Sequence, residues 1–308
     1  MQNLRDVRLR MRAIRQTLQV TKAMNLISTA KLRKGRRLLE DTEPFFVRIQ
    51  KSMFDILSGA GNMGSDFISG TVRSYRNPDI ATSVSPDTKN EQRSAVVVVT
   101  SDKGLAGGYN ANIIRQVNQL CAGLNKPLLI LTGSIGYRYF INSPYMILEN
   151  FSFKSRLPEL DEAGEIADYI ISQYLWGMFN EVYIVYTHMY SSIKLLPTVR
   201  QILPLDKKKM QEEFSSIGEQ RVELQFEYLP SREEVFDALI PFYVKGIIYG
   251  SLVESYVSEQ SSRMAAMDEA SKNAEEMLNT LQINYNRARQ AGITQEMSEI
   301  IGGSAALN

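Results

Sequence analysis

The segment whose residue spacing most resembles a chemical site is 100–110 (TSDKGLAGGYN), which follows an apolar run and precedes a helical pattern. A glycine-rich turn between a strand and a helix can offer backbone N–H groups to a phosphate. Here Gly104, Gly107 and Gly108 match neither the P-loop spacing nor the dinucleotide-binding spacing. We therefore favour a tight turn whose glycines let the helix pack closely on the strand. A nucleotide-binding enzyme is the competing interpretation.

Few other residues suggest catalysis. His188 is the only histidine and Cys121 the only cysteine, so a histidine-based metal site and an internal disulfide are both excluded. No Ser, His and Asp residues have the spacing of a catalytic triad, and we expect Cys121 to be a small buried residue. The sequence therefore predicts a chain that is not an enzyme by itself and that holds no metal or cofactor.

The charges are distributed unevenly although the net charge is only +1. The first 40 residues carry 11 basic and two acidic side chains, whereas residues 251–308 carry four basic and eight acidic ones. The basic end could bind nucleic acid phosphates. However, no aromatic residue precedes Phe45, so stacking of bases has no platform there. A nucleic-acid-binding coiled coil remains the alternative to a pairing of the two ends with each other or with acidic proteins.

Both ends of the chain predict long helices. All ten prolines lie between Pro44 and Pro241, and both ends repeat a 3,4 spacing typical of a coiled-coil seam. Because the chain must return between them, the two helices should pair antiparallel. We expect a bend at Pro44, a kink or a restart of the helix at Pro241, and a helix stop at Gly302 and Gly303. The two seams are Leu4, Val7, Met11, Ile14, Leu18, Thr21, Asn25, Ser28, Leu32, Gly35 and Leu39, and Met264, Met267, Ser271, Ala274, Leu278, Leu281, Tyr285, Ala288 and Gly292.

The middle of the chain alternates predicted strands with predicted helices, which is typical of an α/β (Rossmann-like) domain. The predicted strands are 94–100, 128–132, 145–151, 181–187 and 194–203. The fold class is therefore α/β with long terminal helices that form an antiparallel two-helix coiled coil. No unbroken apolar run approaches the ~18–20 residues that span a bilayer. The predicted organisation is a helix at 1–58, a linker at 59–93, the α/β domain at 94–205, a connector at 206–230 and a second helix at 231–308.

Four segments together resemble one family. The segments 21–34 (TKAMNLISTAKLRK), 100–110, 263–276 (RMAAMDEASKNAEE) and 285–303 (YNRARQAGITQEMSEIIGG) are similar, in this order, to the gamma subunit of F-type ATP synthases. The resemblance covers both ends and the centre of the chain. Ala106 stands where cysteine is frequent in that family.

The resemblance implies a rotor. Its coiled coil would lie inside a ring of three alpha and three beta subunits, and its α/β domain would lie beside epsilon and on the membrane ring of c subunits. Ion flow would turn the chain and so change the beta nucleotide sites in sequence, while the chain itself binds no nucleotide. The resemblance also implies a peripheral membrane location on the cytoplasmic face of a bacterial membrane. It leaves open whether the coupled ion is a proton or sodium.

The resemblance further implies a set of contacts with the alpha and beta ring. Arg289 and Gln290 match the family's catch region, and Met24 and Arg263 match positions near an acidic lever of beta. A simple surface ion pair is the competing interpretation for Arg289. The full set of implied ring contacts is Met24, Arg263, Arg289, Gln290, Thr294, Gln295, Glu296 and Glu299.

Overall fold

A computed structural model describes six segments of the chain. The described residues form six helices and five strands. The described residues are 4–58, 65–69, 93–152, 157–191, 194–206 and 228–305. The helices are α1 (Leu4–Ser58), α2 (Asp66–Ser69), α3 (Tyr109–Gly123), α4 (Ser134–Phe140), α5 (Leu160–Leu175) and α6 (Arg232–Ala305). The strands are β1 (Ser94–Val99), β2 (Leu128–Thr132), β3 (Met146–Phe151), β4 (Glu181–Met189) and β5 (Leu195–Leu203). Most of the predicted linker and connector lies outside the described residues.

The five strands form one sheet in the order β3-β2-β1-β4-β5. Strands β1 to β4 are parallel to one another, and β5 forms one edge of the sheet and is antiparallel to β4. Every residue of β1 is buried, as expected for a β-branched strand covered on both faces. Helix α3 packs Ile113, Val117 and Cys121 against this strand and β2, so the predicted α/β domain is confirmed.

The two terminal helices lie within the ranges that the sequence pattern predicted for them. Helix α1 continues through Pro44 and helix α6 through Pro241, each as a single helix. Pro44 is exposed, so the peptide unit that loses its hydrogen bond can face water. Helix α6 also continues past Gly302 and ends at Ala305, so the predicted stop was wrong. At its start, the Ser231 hydroxyl accepts a hydrogen bond from the backbone N–H of Glu234 (3.2 Å) and so caps the first turn of the helix.

The chain divides into two compact units, residues 1–30 with 262–308, and residues 31–261. In the first unit, the contacts between the helices run in opposite directions along the sequence. Arg8 contacts Tyr285, Lys22 contacts Glu275, and Asn25 contacts the backbone of Met264. Rising numbers on α1 thus meet falling numbers on α6, which confirms the predicted antiparallel pair.

In the second unit, α1 and α6 approach each other closely at two glycines. A Cβ atom on Gly35 would lie 2.7 Å from Cγ2 of Val257, and one on Gly246 would lie 2.3 Å from the ring of Phe46. Real Cβ contacts are longer than this, so any larger residue would force the helices apart. Gly35 was predicted as a seam position, and its packing explains why the seam tolerates no side chain there.

One described helix is apolar enough to cross a membrane by length and composition. The span is Arg232–Gln295, whose most apolar 18-residue window has a mean hydropathy of 1.3 and is 56% buried inside the protein. This differs from the sequence expectation, because the window tolerates scattered polar residues whereas the expectation required an unbroken apolar run. A helix buried in a protein core passes the same test, so the signal is weak.

Candidate functional site

The glycine-rich segment 100–110 forms a turn that is closed by its own polar side chains. The amide of Asn110 and the hydroxyl of Ser101 are in hydrogen-bond contact, and the N–H of Ser101 donates to Oδ1 of Asn110 (3.0 Å). Asp102 accepts a hydrogen bond from the N–H of Ser134 (2.9 Å), which ties the turn to the next loop. These side chains are therefore engaged in shaping the turn, as the tight-turn interpretation requires.

The close packing predicted for this turn is made by other glycines. A Cβ atom on Gly104 would meet nothing within 4 Å, and Gly107 instead supplies a positive φ of 55°. The tight approach lies at Gly133, where a Cβ atom would lie 2.2 Å from the carbonyl oxygen of Thr100, and at Gly136 beside the same threonine. The segment thus forms a tight turn between a strand and a helix, as predicted. The prediction of which glycines make the close contact was wrong.

The two most reactive side-chain types of the second unit, the thiol of Cys121 and the imidazole of His188, are held by packing and by contacts within the protein. Cys121 is buried in α3, and burial raises the pKa of its thiol to about 11, so it is a poor nucleophile. The imidazole Nδ1 of His188 lies 2.7 Å from a carboxylate oxygen of Glu254 on α6. Among the described residues, no group of three or more His, Cys, Asp or Glu side chains is placed to hold a metal ion.

The interface between α1 and α6 in the first unit has a polar centre, as the seam predicted. The hydroxyls of Thr21 and Ser271 lie 2.7 Å apart and are buried. The side-chain amide of Asn25 donates to the carbonyl of Met264 (3.1 Å). A buried hydrogen bond contributes only about 0.5–1.5 kcal/mol, but its geometry specifies which turn of one helix faces which turn of the other. The polar centre therefore fixes the register of the pair.

The complementary charges of the two ends contribute less than their numbers suggest. Lys22 and Glu275 form an ion pair across the helices, and both side chains are about half exposed. Exposed pairs of this kind are worth about 0–1 kcal/mol. On the same helix, Asp268 raises the pKa of Lys272, to which it is paired one turn away. Packing and the polar centre, rather than charge, hold the helices together.

The predicted ring contacts differ in how far their side chains are exposed to solvent. Arg289, Gln290, Thr294 and Gln295 are exposed along the last turns of α6, and Met24 is half-buried. Arg263 is different, because only 7% of it is exposed while the neighbouring Met264 is half-buried. The buried face of α6 thus passes through Arg263. The side chains of Glu296 and Glu299 lie outside the described residues.

Sequence reasoning missed a group of exposed apolar residues on both terminal helices. Large exposed apolar side chains that recur on one region of a protein indicate a surface that contacts a partner. The signal was available, because these residues lie off the predicted seams. On α1 they are Leu9, Val20, Leu26, Ile27 and Phe45, and on α6 they are Phe242, Met277, Ile283, Ile293, Met297, Ile300 and Ile301.

Comparisons with known proteins agree over the length of the chain. A family model described as ATP synthase matches residues 3–307. The ATP synthase gamma chain of Acetivibrio thermocellus is 38% identical over 309 residues, with 100% of both chains covered. The ATP synthase gamma chain of Ruminiclostridium cellulolyticum is 40% identical over 306 residues, covering 99% of each chain.

A solved structure has the same fold. A chain of the Euglena gracilis mitochondrial ATP synthase, in a structure of its OSCP, F1 and c-ring in rotational state 3, superposes with a TM-score of 0.64. The two chains are 17% identical, and the match covers 99% of this chain and 94% of that one. At this identity the likeness concerns the arrangement of helices and strands alone.

Proposed function

This chain belongs to the ATP synthase gamma chain family, and from that premise we propose which of its surfaces pass rotation to the rest of the complex. It is the gamma subunit of an F-type ATP synthase and part of its central stalk. It is a non-catalytic subunit, and its role is to couple ion translocation to ATP synthesis and hydrolysis. The nucleotide chemistry takes place on other subunits.

The partners follow from the family and from the exposed surfaces. In our proposal, the antiparallel pair of α1 and α6 lies inside a ring of alpha and beta subunits. The α/β domain contacts epsilon and the membrane ring of c subunits. The observation that supports this arrangement is the helix pair itself, which buries a narrow seam and leaves apolar side chains such as Leu26, Ile293 and Met297 exposed around it. A helix pair that works without partners would bury such side chains, so their exposure indicates that another protein covers them.

We place the ring contacts on the exposed residues of the predicted set and on the half-buried Met24. Arg289 and Gln290 can donate hydrogen bonds to a beta loop, and an arginine can bind a carboxylate with two parallel bonds. Thr294 and Gln295 extend this surface by one turn. Met24 offers an uncharged side chain that slides past an acidic segment without forming an ion pair. Arg263 is buried within the chain, and the proposal does not rest on it.

The energetics favour an interface that is easily rotated. One ion that crosses the membrane releases about 2.3 kcal/mol per 100 mV. ATP synthesis therefore needs several such steps, and the shaft must carry torque between many small steps and few large ones. Exposed apolar side chains can contact the inner surface of the alpha and beta ring without directional bonds that would have to break at every rotary angle. Hydrogen bonds from Arg289 and Gln290 would then act only where a partner passes.

The location of the complex follows from the same assignment. Both relatives belong to bacterial ATP synthases, which are membrane-associated complexes. We propose that this chain lies on the cytoplasmic face of a bacterial membrane and is held there through its partners. We also propose that its basic segment at 5–37 contacts protein and not nucleic acid. Steep salt-dependent binding of the isolated chain to DNA would contradict the second proposal.

Co-expression with alpha and beta subunits tests the assignment. The chain should purify with them in a complex that hydrolyses ATP, whereas alpha and beta expressed without it should not give the same stable activity. Failure of the three chains to purify together would contradict the proposal. Membrane vesicles that carry the full complex then allow ATP-driven ion pumping and ATP turnover to be measured on the same sample.

Two substitutions test the ring contacts. Arg289→Ala should slow ATP turnover in the assembled complex, because a contact made at defined rotary angles is lost. Met24→Lys should lower ion pumping per ATP hydrolysed, because the added charge can pair with an acidic segment of beta. Arg115→Ala, at an exposed position on α3, is the matched control and should change neither quantity. Normal turnover and pumping in both test variants would remove this contact set.

A further inference from the structure

Strand β4 extends beyond the strand that lies beside it. The pairing of β1 with β4 ends at Val98 opposite Val185, whereas β4 continues to Met189. On its other side, Thr187 lies opposite Pro197 of β5, and proline has no N–H to donate. Buried backbone N–H and C=O groups need hydrogen-bond partners. The end of β4 therefore needs partners from outside the sheet on the side where β1 has ended.

Helix α6 supplies these partners. The N–H of Thr187 donates to the hydroxyl oxygen of Ser255 (3.2 Å), and the hydroxyl of Ser258 donates to the carbonyl of Thr187 (3.2 Å). Both serines are buried, and they lie three residues apart, so they share one face of the helix. Two serine side chains of a helix thus replace a neighbouring strand at this one residue.

An adjacent pair of side chains strengthens the same contact. His188 follows Thr187 and Glu254 precedes Ser255, and their side chains meet at 2.7 Å. The imidazole also lies edge-on to the rings of Tyr186 and Tyr190. Three polar contacts therefore join two consecutive residues of β4 to about one turn of α6, where the end of the strand meets the middle of the helix.

We propose that Thr187 and His188 of β4, with Glu254, Ser255 and Ser258 of α6, form a joint that passes torque from the sheet to helix α6. We call these five residues the β4–α6 joint. The inference rests on the proposed rotor function. Apolar contacts resist separation but not sliding, because the hydrophobic effect has no direction. Hydrogen bonds weaken steeply when their angles change, so these three contacts resist rotation of the helix against the sheet.

Hydrogen exchange on the purified full-length chain tests the contacts themselves. Ser255→Ala should raise the exchange rate of the Thr187 amide about fivefold, because one hydrogen bond no longer protects it. Ser251→Ala is the matched control, since Ser251 is an equally buried serine one turn earlier on α6. It should leave the exchange of Thr187 unchanged. Equal exchange in the wild-type chain and in Ser255→Ala would overturn the assignment of the contact.

The torsional role is tested in the assembled complex with the ring fixed to a surface. A bead is attached through Trp176→Cys, an exposed position in the α/β domain, while Cys121 stays buried and unlabelled. The variance of the bead angle during a pause measures the stiffness of the path through the joint. It should be larger in Ser255→Ala than in the wild-type complex, because one of the directional contacts is lost, and Ser251→Ala should leave it unchanged.

The rotor function and the joint are tested separately. A bead that does not rotate on the wild-type complex would contradict the rotor function. A bead that rotates but shows the same angular variance in the wild type and in Ser255→Ala would overturn the joint alone. A merely structural role of Ser255 would change stability but would not change the angular variance.

Discussion

Gly35 provides a quantitative test of the close approach between α1 and α6. Gly35→Ala adds one methyl group that would lie 2.7 Å from Cγ2 of Val257 and 3.2 Å from Cδ1 of Tyr256. Ordinary van der Waals contacts lie between 3.4 and 4 Å. The helices must therefore separate, or Val257 must leave its position. Val257 is almost fully buried, so it has little room to move.

Two opposing effects determine the size of the change. Overpacking of a tight core costs about 1–3 kcal/mol. Replacing a helical glycine with alanine contributes up to about 1 kcal/mol in the opposite direction. The net expectation is a loss of about 0–2 kcal/mol in the free energy of unfolding, where an exposed helical site would give a gain. Gly250→Ala on α6 is that comparison, because its Cβ atom would meet nothing within 4 Å.

A double-mutant cycle isolates the contact. Val257→Ala alone should destabilise the chain by about 2 kcal/mol, since it removes two buried methyl groups and leaves a cavity. In the double variant, the new methyl at position 35 occupies part of that cavity, so the combined loss should be smaller than the sum by about 1 kcal/mol. Urea unfolding of the full-length chain, followed by circular dichroism, gives the four values. Strictly additive losses, or a Gly35→Ala variant as stabilised as Gly250→Ala, would refute the close contact.

Three further predictions concern single residues. Met267→Asp should prevent stable pairing of the terminal helices, because it buries an unpaired charge at a position 6% exposed; unchanged thermal stability would contradict the seam. Cys121 should react with iodoacetamide at pH 8 only after denaturant is added, since its pKa is raised to about 11; rapid alkylation of the folded chain would argue against its burial. Burial and a hydrogen bond to Glu181 raise the pKa of Tyr183 to about 12, so the folded phenol keeps its proton after the unfolded one has lost it. Stability should therefore fall as pH rises above 10, and Glu181→Gln should reduce that slope in unfolding measured against pH.

Much of the fold could be predicted from local patterns. The β-branched run of β1, the 3,4 spacing of the two ends and the absence of proline from the ends each depend on residues close in sequence. The polar centre of the seam was visible for the same reason, because Thr21 and Ser271 occupy regular positions of their own helices. The composition of each helix alone therefore indicated both the pairing and its polar middle.

The remaining features depend on contacts between residues far apart in sequence. The joint connects Thr187 with Ser258 across 71 residues, and no periodicity relates a strand end to a helix face. Helix α6 continues through Pro241, where Ile240 and Val244 on either side of the proline are fully buried, and this packing depends on residues that local sequence does not reveal. Arg263 was assigned as a ring contact from the family resemblance, which does not show that the buried face of α6 passes through this residue.

Observation of rotation tests directly whether this chain is a torque-carrying shaft. The complex of this chain with alpha and beta subunits is fixed through the ring, and a bead on Trp176→Cys is observed while ATP is added. We expect stepwise rotation in one direction that stops when ATP is withdrawn. Steady ATP hydrolysis by the same complex with a stationary or randomly moving bead would contradict it.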